Sequence, residues 1–298
     1  MPTKKSQGML GLMRSHKKMI SGVGSRWIMS IDPPADIVAR LRMNGTRAVS
    51  VKDFPLPALM ITPGIVKKTD GVILHLHGGA YVSGGILQCR AIISPICAAA
   101  GLRAFTFCYH LAPQYAYPTQ LKEAYDAYQY LLHQGYAPEK IVFAGESAGG
   151  NLALALALKL RDEGKTLPGA IALLSPWVDL EQTGESYTAL RETDATLNGE
   201  ELLAHAISFA GSESMLGDPR ISPVKADFHG FPPVLIHCGT REILLSDSEK
   251  LEKAMLRDGV AAKLIRWEGM CHVFQAFGFE ESKAANRQLG SFLLAMLQ

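Results

Sequence analysis

The stretch Ile141-Val142-Phe143-Ala144-Gly145-Glu146-Ser147-Ala148-Gly149-Gly150 decides how the rest of the chain is read. Its first five residues form an apolar run of strand length, and the residues from Ala148 to Glu163 repeat apolar side chains at helical spacing. Between the two patterns lies Gly-x-Ser-x-Gly. The pentapeptide alone is common, but set directly between a strand and an apolar helix it has the context of a nucleophile elbow. Glycines on both flanks let the chain turn sharply without a Cβ clash, which would leave the Ser147 hydroxyl exposed at the carboxyl edge of a sheet. The N-terminus of the following helix favours the negative charge that develops when that oxygen attacks a carbonyl.

Outward from the elbow, short apolar runs alternate with helical patterns from Val72 onward, the signature of βα units in a mainly parallel sheet. Strands are expected at Val72–His77, Leu102–Cys108, Ile141–Gly145, Ile171–Ser175, Val234–Cys238 and Ala262–Glu268, with helices at Cys89–Ala100, Thr119–His133, Ala148–Glu163, Ser248–Asp258 and Glu280–Leu297. Val49–Phe54 and Leu59–Thr62 read as an antiparallel pair at the start of the sheet. The pattern therefore predicts an α/β fold: a mostly parallel eight-stranded sheet flanked by helices. Two regions break the alternation. Residues 1–45 are helical and basic, and residues 183–217 insert a polar loop and a helix (Glu200–Ala210) between two strands. Both are expected to cap the site, dividing the chain into an N-terminal cap (1–45), a first catalytic part (46–182), a cap insertion (183–217) and a second catalytic part (218–298).

Three further stretches supply what an activated serine needs. His77-Gly78-Gly79-Ala80 follows the first parallel strand, where a loop can offer backbone N–H groups to a substrate oxyanion. The expected donors are Gly78, Gly79 and, as the residue after the nucleophile, Ala148. His75 and His77 stand two apart, but no carboxylate or cysteine at ligand spacing accompanies them, so no metal is expected. Of the nine histidines only His272 follows every acid candidate in the order Ser, acid, His, and it lies just past the last strand. The acid is Glu242 or Asp247. Glu242 sits in the loop at the strand's carboxyl end and is preferred, because Ser246-x-x-Glu249 reads as a capping box that gives Asp247 a place in a helix's first turn.

Composition narrows the alternatives. With 298 residues, 48% of them hydrophobic and 19% charged, the chain can bury a sizeable core, and a net charge of +2 gives no general case for nucleic acid or membrane partners. Charge is uneven only at the start, where residues 1–30 hold six cations and no acid. Five cysteines without a C-x-x-C pair read as reduced thiols, and no stretch approaches the roughly 18 apolar residues of a membrane span, so a cytoplasmic location is expected.

Several separated motifs resemble those of the hormone-sensitive-lipase-like family, the bacterial family IV esterases of the α/β-hydrolase fold, over residues 45–298. HGGAY (77–81) is similar to the family's HGGG loop, YHLAPQYAYP (109–118) to its YRLAPE segment, GESAGGNLA (145–153) to its GDSAGG elbow, and GMCHVF (269–274) to its histidine loop. DPRISPVKAD and FPPVLIHCGT resemble the run that leads to its acid. The resemblance implies a carboxylesterase for short-chain esters that needs no cofactor or metal, the two irregular regions as cap, and a homodimer joined through Ala262–Glu268. An arylformamidase or related amidase is the alternative. Ala80 departs from the third glycine of HGGG, Glu146 from the usual elbow Asp, Glu242 from the usual Asp, and His110 from the usual Arg.

Overall fold

Eight strands join in one sheet, in the order β1-β2-β4-β3-β5-β6-β7-β8, in the computed structural model of the chain, which describes residues 2–20 and 33–297. The strands are β1 (Thr46–Ser50), β2 (Ala58–Pro63), β3 (Val72–Leu76), β4 (Arg103–Phe107), β5 (Ile141–Glu146), β6 (Ile171–Leu174), β7 (Val234–Gly239) and β8 (Ala262–Trp267). The β1–β2 and β2–β4 pairings are antiparallel and the other five are parallel. Strand residues alternate between two buried layers. On β5, Ile141 and Phe143 join one cluster while Val142 and Ala144 join the other; on β3, Val72 and Leu74 face opposite to Ile73. Burial on both faces is why these strands read as continuous apolar runs.

The helices are α1 (Lys4–Ile20), α2 (Ala35–Arg40), α3 (Ile86–Ala100), α4 (Thr119–His133), α5 (Ala148–Asp162), α6 (Gly199–Ala210), α7 (Leu245–Arg257) and α8 (Glu280–Ala295), with a one-turn helix at Ser186–Ala189. α3 and α8 cover one face through Ile93, Ile96, Leu289 and Leu293. α4, α5 and α7 cover the other through Leu131, Leu152, Leu156 and Leu251. No helix among the described residues is long and apolar enough to cross a membrane.

The expected N-terminal cap holds α1 and α2; residues 1 and 21–32 of it lie outside the described residues. Leu10 of α1 packs against Met270, Cys271 and Phe274, and the Thr3 N–H donates to Glu281 Oε1 at 2.6 Å. The buried Arg90 guanidinium ties α3 to the carbonyls of Val38 and Leu41.

Three elements start three residues earlier than the sequence reading placed them. β1 lies three residues earlier than expected because Asn44 and Gly45 turn with positive φ, and Thr46 then both pairs with Pro63 and bonds Met43 O. α3 begins at Ile86, on Gly85 as its N-cap. α7 begins at Leu245 rather than Ser248, since the Leu245 N–H already reaches Glu242 O. The loop after β7 is therefore shorter than the apolar pattern suggested.

Candidate active site

Ser147 lies between β5 and α5 with φ 55° and ψ −122°, a region costly for a residue with a side chain. Tertiary bonds hold it there: its N–H donates to Leu174 O at 2.9 Å and its carbonyl accepts from Trp177 N at 3.1 Å. The flanking glycines are required by space. A Cβ on Gly145 would fall 2.2 Å from Gly149 O, and one on Gly149 would fall 1.9 Å from Leu76 O. The tight turn thus jams the start of α5 against the end of β3.

His272 follows β8, and its Nδ1 lies 2.7 Å from Glu242 Oε2. A carboxylate accepts only, so Nδ1 carries the proton and Nε2 holds a lone pair. Glu242 is wholly buried, and its other oxygen accepts from Gly239 N at 2.6 Å and Ser175 Oγ at 2.8 Å. Ser175 also accepts from Val273 N at 3.1 Å, so one hydroxyl fixes both the acid and the residue after His272. Sequence reasoning missed Ser175. Its place at the carboxyl end of β6, beside the strand that carries the acid, was the available signal; its left-handed φ of 48° was not.

Asp247 lies in the first turn of α7 as expected, but no capping box opens that helix. The N-cap position of α7 is Leu244, and Ser246 exchanges hydrogen bonds with Ser186 rather than capping α7. Glu249 bonds Arg266. The buried Asp247 carboxylate instead accepts from Val178 N and Asp179 N, both at 2.9 Å. Burial pushes its pKa up to about 8, against the pull of those two N–H groups, and the nearby Asp179 charge adds to the rise. It holds the loop that follows β6, while His272 Nδ1 donates its hydrogen bond to Glu242.

The loop Gly78-Gly79-Ala80 requires one correction. The Gly78 N–H donates to Glu146 Oε1 at 2.7 Å and is thereby committed to a side chain. Glu146 is itself buried, and its Oε2 lies 2.8 Å from His75 Nε2, whose Nδ1 lies 2.8 Å from Thr106 Oγ1. The elbow's second residue therefore clamps the glycine loop and is backed by a histidine and a threonine from two neighbouring strands. Among the described residues, the N–H groups of Gly79, Ala80 and Ala148 have no protein acceptor. Gly79 has φ +116°, and a Cβ there would fall 2.1 Å from Ser83 O. His77 lies behind the loop, with its carbonyl held by the Tyr109 hydroxyl at 2.7 Å. His110, in the same segment as Tyr109, pairs with Glu123 and so anchors that segment to α4.

Ser147, His272, Gly79 and Ala80 line a single cavity of about 590 Å³, with Leu202 and Phe277 among its apolar walls. The insertion contributes Thr196, Asn198, Glu201 and His205, so α6 forms part of its roof.

A family model described as alpha/beta hydrolase fold matches residues 73–276. An esterase of Acinetobacter venetianus is 35% identical over 227 residues, covering 76% of this chain and 75% of that protein. An acetyl-hydrolase of Streptomyces hygroscopicus is 35% identical over 230 residues, covering 76% of each. Among solved structures, an esterase of the bacterial hormone-sensitive lipase family superposes with a TM-score of 0.89 at 31% identity, over 100% of both chains.

Proposed function

The chain belongs to the hormone-sensitive-lipase-like esterases of the α/β-hydrolase family, hydrolases that act on carboxylic esters, and from that membership we propose that it cleaves short-chain esters through an acyl-enzyme on Ser147. His272 is the general base and Glu242 the acid of the triad. The observation that carries this reading is the 2.7 Å bond from His272 Nδ1 to Glu242, with Ser147 and His272 opening on one cavity. Nε2 is left as the proton acceptor.

In this reading Ser147 Oγ attacks the ester carbonyl as His272 takes its proton. The oxyanion is held by the N–H groups of Gly79, Ala80 and Ala148, whose donors are aimed before the reaction and need no reorganisation. His272 then protonates the departing alkoxide. Water attacks the acyl-enzyme with His272 again as base, and the carboxylic acid leaves. The buried Glu242 fixes the imidazole tautomer and stabilises its cation. Gly78 serves the same reaction indirectly, as the point where Glu146 grips the loop.

The preference for short acyl chains rests on the family resemblance and on a cavity roofed in part by α6, with Leu202 and Phe277 among its apolar walls. A series of p-nitrophenyl esters tests it, with N-formylkynurenine assayed alongside. Highest kcat/KM for acetate or butyrate is expected; a maximum at decanoate or beyond, or faster turnover of the formamide, rejects it. β8 ends the sheet with one unpaired edge, and a homodimer through Ala262–Trp267 would satisfy it. Light scattering at micromolar concentration should then give twice the mass of one chain; the mass of a single chain rejects the pairing.

A further inference from the structure

Behind the glycine loop, the end of β3, the first turn of α3 and the residue after β4 bring three soft donors together. One ring nitrogen of His77 and the Sγ atoms of Cys89 and Cys108 lie within 4.8 Å of one another. The arrangement is held from several sides. The His77 ring is buried and stacked on Tyr109, 3.9 Å between centres and 4° between planes. Gly84 lies so close that a Cβ there would fall 2.4 Å from His77 Nδ1. Nδ1 itself is 2.7 Å from Gly78 O; a carbonyl only accepts, so Nδ1 carries the proton and Nε2 carries a lone pair.

We propose that His77, Cys89 and Cys108 form a binding site for a thiophilic cation of the Zn²⁺ and Cd²⁺ class, and that its occupancy lowers esterase activity by drawing on the glycine loop. Two thiolates and an imidazole suit such a cation and, with no carboxylate among them, do not suit Mg²⁺ or Ca²⁺. Zinc bonds of about 2.3 Å to sulfur and about 2.0 Å to nitrogen set donor–donor edges of roughly 3.5–3.8 Å in a tetrahedral site. The cluster is thus at most about 1 Å wider than a bound state requires, a distance that cysteine χ1 rotation covers. Burial raises the Cys89 thiol well above its ordinary pKa, so without a cation it stays protonated. On binding, each thiol gives its proton to solvent, two protons leave, and no electrons move. Cys108 is only half-buried and gives the path inward.

The coupling follows from the chain. His77 is bonded through Nδ1 to Gly78 O, and Gly78 is the residue that Glu146 holds in place. A cation that moves the imidazole toward the two sulfurs pulls on the same peptide. The inhibitory half of the proposal rests on the loop's assigned role in catalysis; the binding half does not.

The test uses the full chain, stripped with chelator and titrated with Cd²⁺ while the ultraviolet sulfur-to-metal charge-transfer band is followed. p-Nitrophenyl butyrate turnover is measured in parallel at buffered free Zn²⁺. A band saturating at one Cd²⁺ per chain and reversed by chelator is expected, together with Zn²⁺ inhibition. Cys108→Ala and Cys89→Ala should each abolish the band and raise the Zn²⁺ needed for half-inhibition at least tenfold, with basal kcat unchanged. No band in the wild-type chain, or a band that survives both substitutions, overturns the site. A band without inhibition overturns the coupling. Inhibition that persists in both variants but disappears in His229→Ala would move the effect to the Asp227–His229–Asp258 group, in which Asp227 and His229 are exposed, and overturn the proposal as well.

Discussion

Replacing Glu146 separates the clamp on the glycine loop from the chemistry it serves. In Glu146→Ala the Gly78 N–H and the ring nitrogen of His75 both lose their partner in a buried place. Each orphaned group costs roughly 1–3 kcal/mol, so the variant should be destabilised by roughly 2–6 kcal/mol. That is a large share of the roughly 5–15 kcal/mol that holds a native protein together. Glu146→Gln keeps both contacts: its carbonyl accepts from Gly78, and its amide donates to His75 Nε2 while Nδ1–H turns to Thr106 Oγ1. Only charge assistance is lost, about 1 kcal/mol. With m of about 3 kcal/mol per molar, urea midpoints should fall by about 0.7–2 M for Ala and by about 0.3 M for Gln. In p-nitrophenyl butyrate hydrolysis, Ala should lower kcat by about 10²-fold, the scale of one misplaced oxyanion donor, with KM changing less. Equal midpoints and equal kcat for the two variants would refute the clamp.

Ser147→Ala should remove turnover by a factor on the order of 10⁶ while far-UV circular dichroism stays native, and retention of a tenth of kcat rejects Ser147 as nucleophile. Glu242→Gln should keep the fold and lower kcat by about 10⁴, as an amide in place of a triad carboxylate favours the wrong imidazole tautomer. Loss of activity in Asp247→Asn with retention in Glu242→Gln would exchange the two acids. For Asp247 the sign is set by a folded pKa of about 8 against an ordinary value of 3.8: between these pH values the native chain keeps a proton that the unfolded chain has lost. Its contribution to stability therefore declines as pH rises from about 4 to about 8. Asp247→Asn has no such group, so its stability relative to wild type should rise across that window in urea titrations; parallel profiles count against the buried acid.

Much of the fold was legible because a sheet covered on both faces writes itself as apolar runs of strand length, and the helices between them carry their own period. The elbow and His272 were legible from order along the chain. What escaped was side-chain reach across the sheet. The bond that commits the Gly78 N–H joins residues 68 apart, and Asp247 serves backbone groups 69 and 68 residues away. Such contacts leave no local pattern. Ser246 and Glu249 show the converse: a spacing that suits a capping box was overruled because each found a tertiary partner, Ser186 and Arg266. Cys89 and Cys108 stand far from His77 in sequence and meet it only through the parallel pairing of β3 with β4 and the helix between them.

The docking of α1 bears on how the protein is prepared and engineered. Pro2 lies against Gly269, where a Cβ would come within 2.5 Å of the proline ring, and Leu10 seals Met270 and Cys271 from below. Residues 2–10 thus form a strut against the turn that bears His272, fastened at Thr3 and Ser6 to Glu281. A substitution at Leu10 would loosen the strut without touching any residue of the proposed triad. Variants that differ only at Leu10 would then differ in turnover, and a shift in kcat between them would report on the seating of this helix rather than on the chemistry above it.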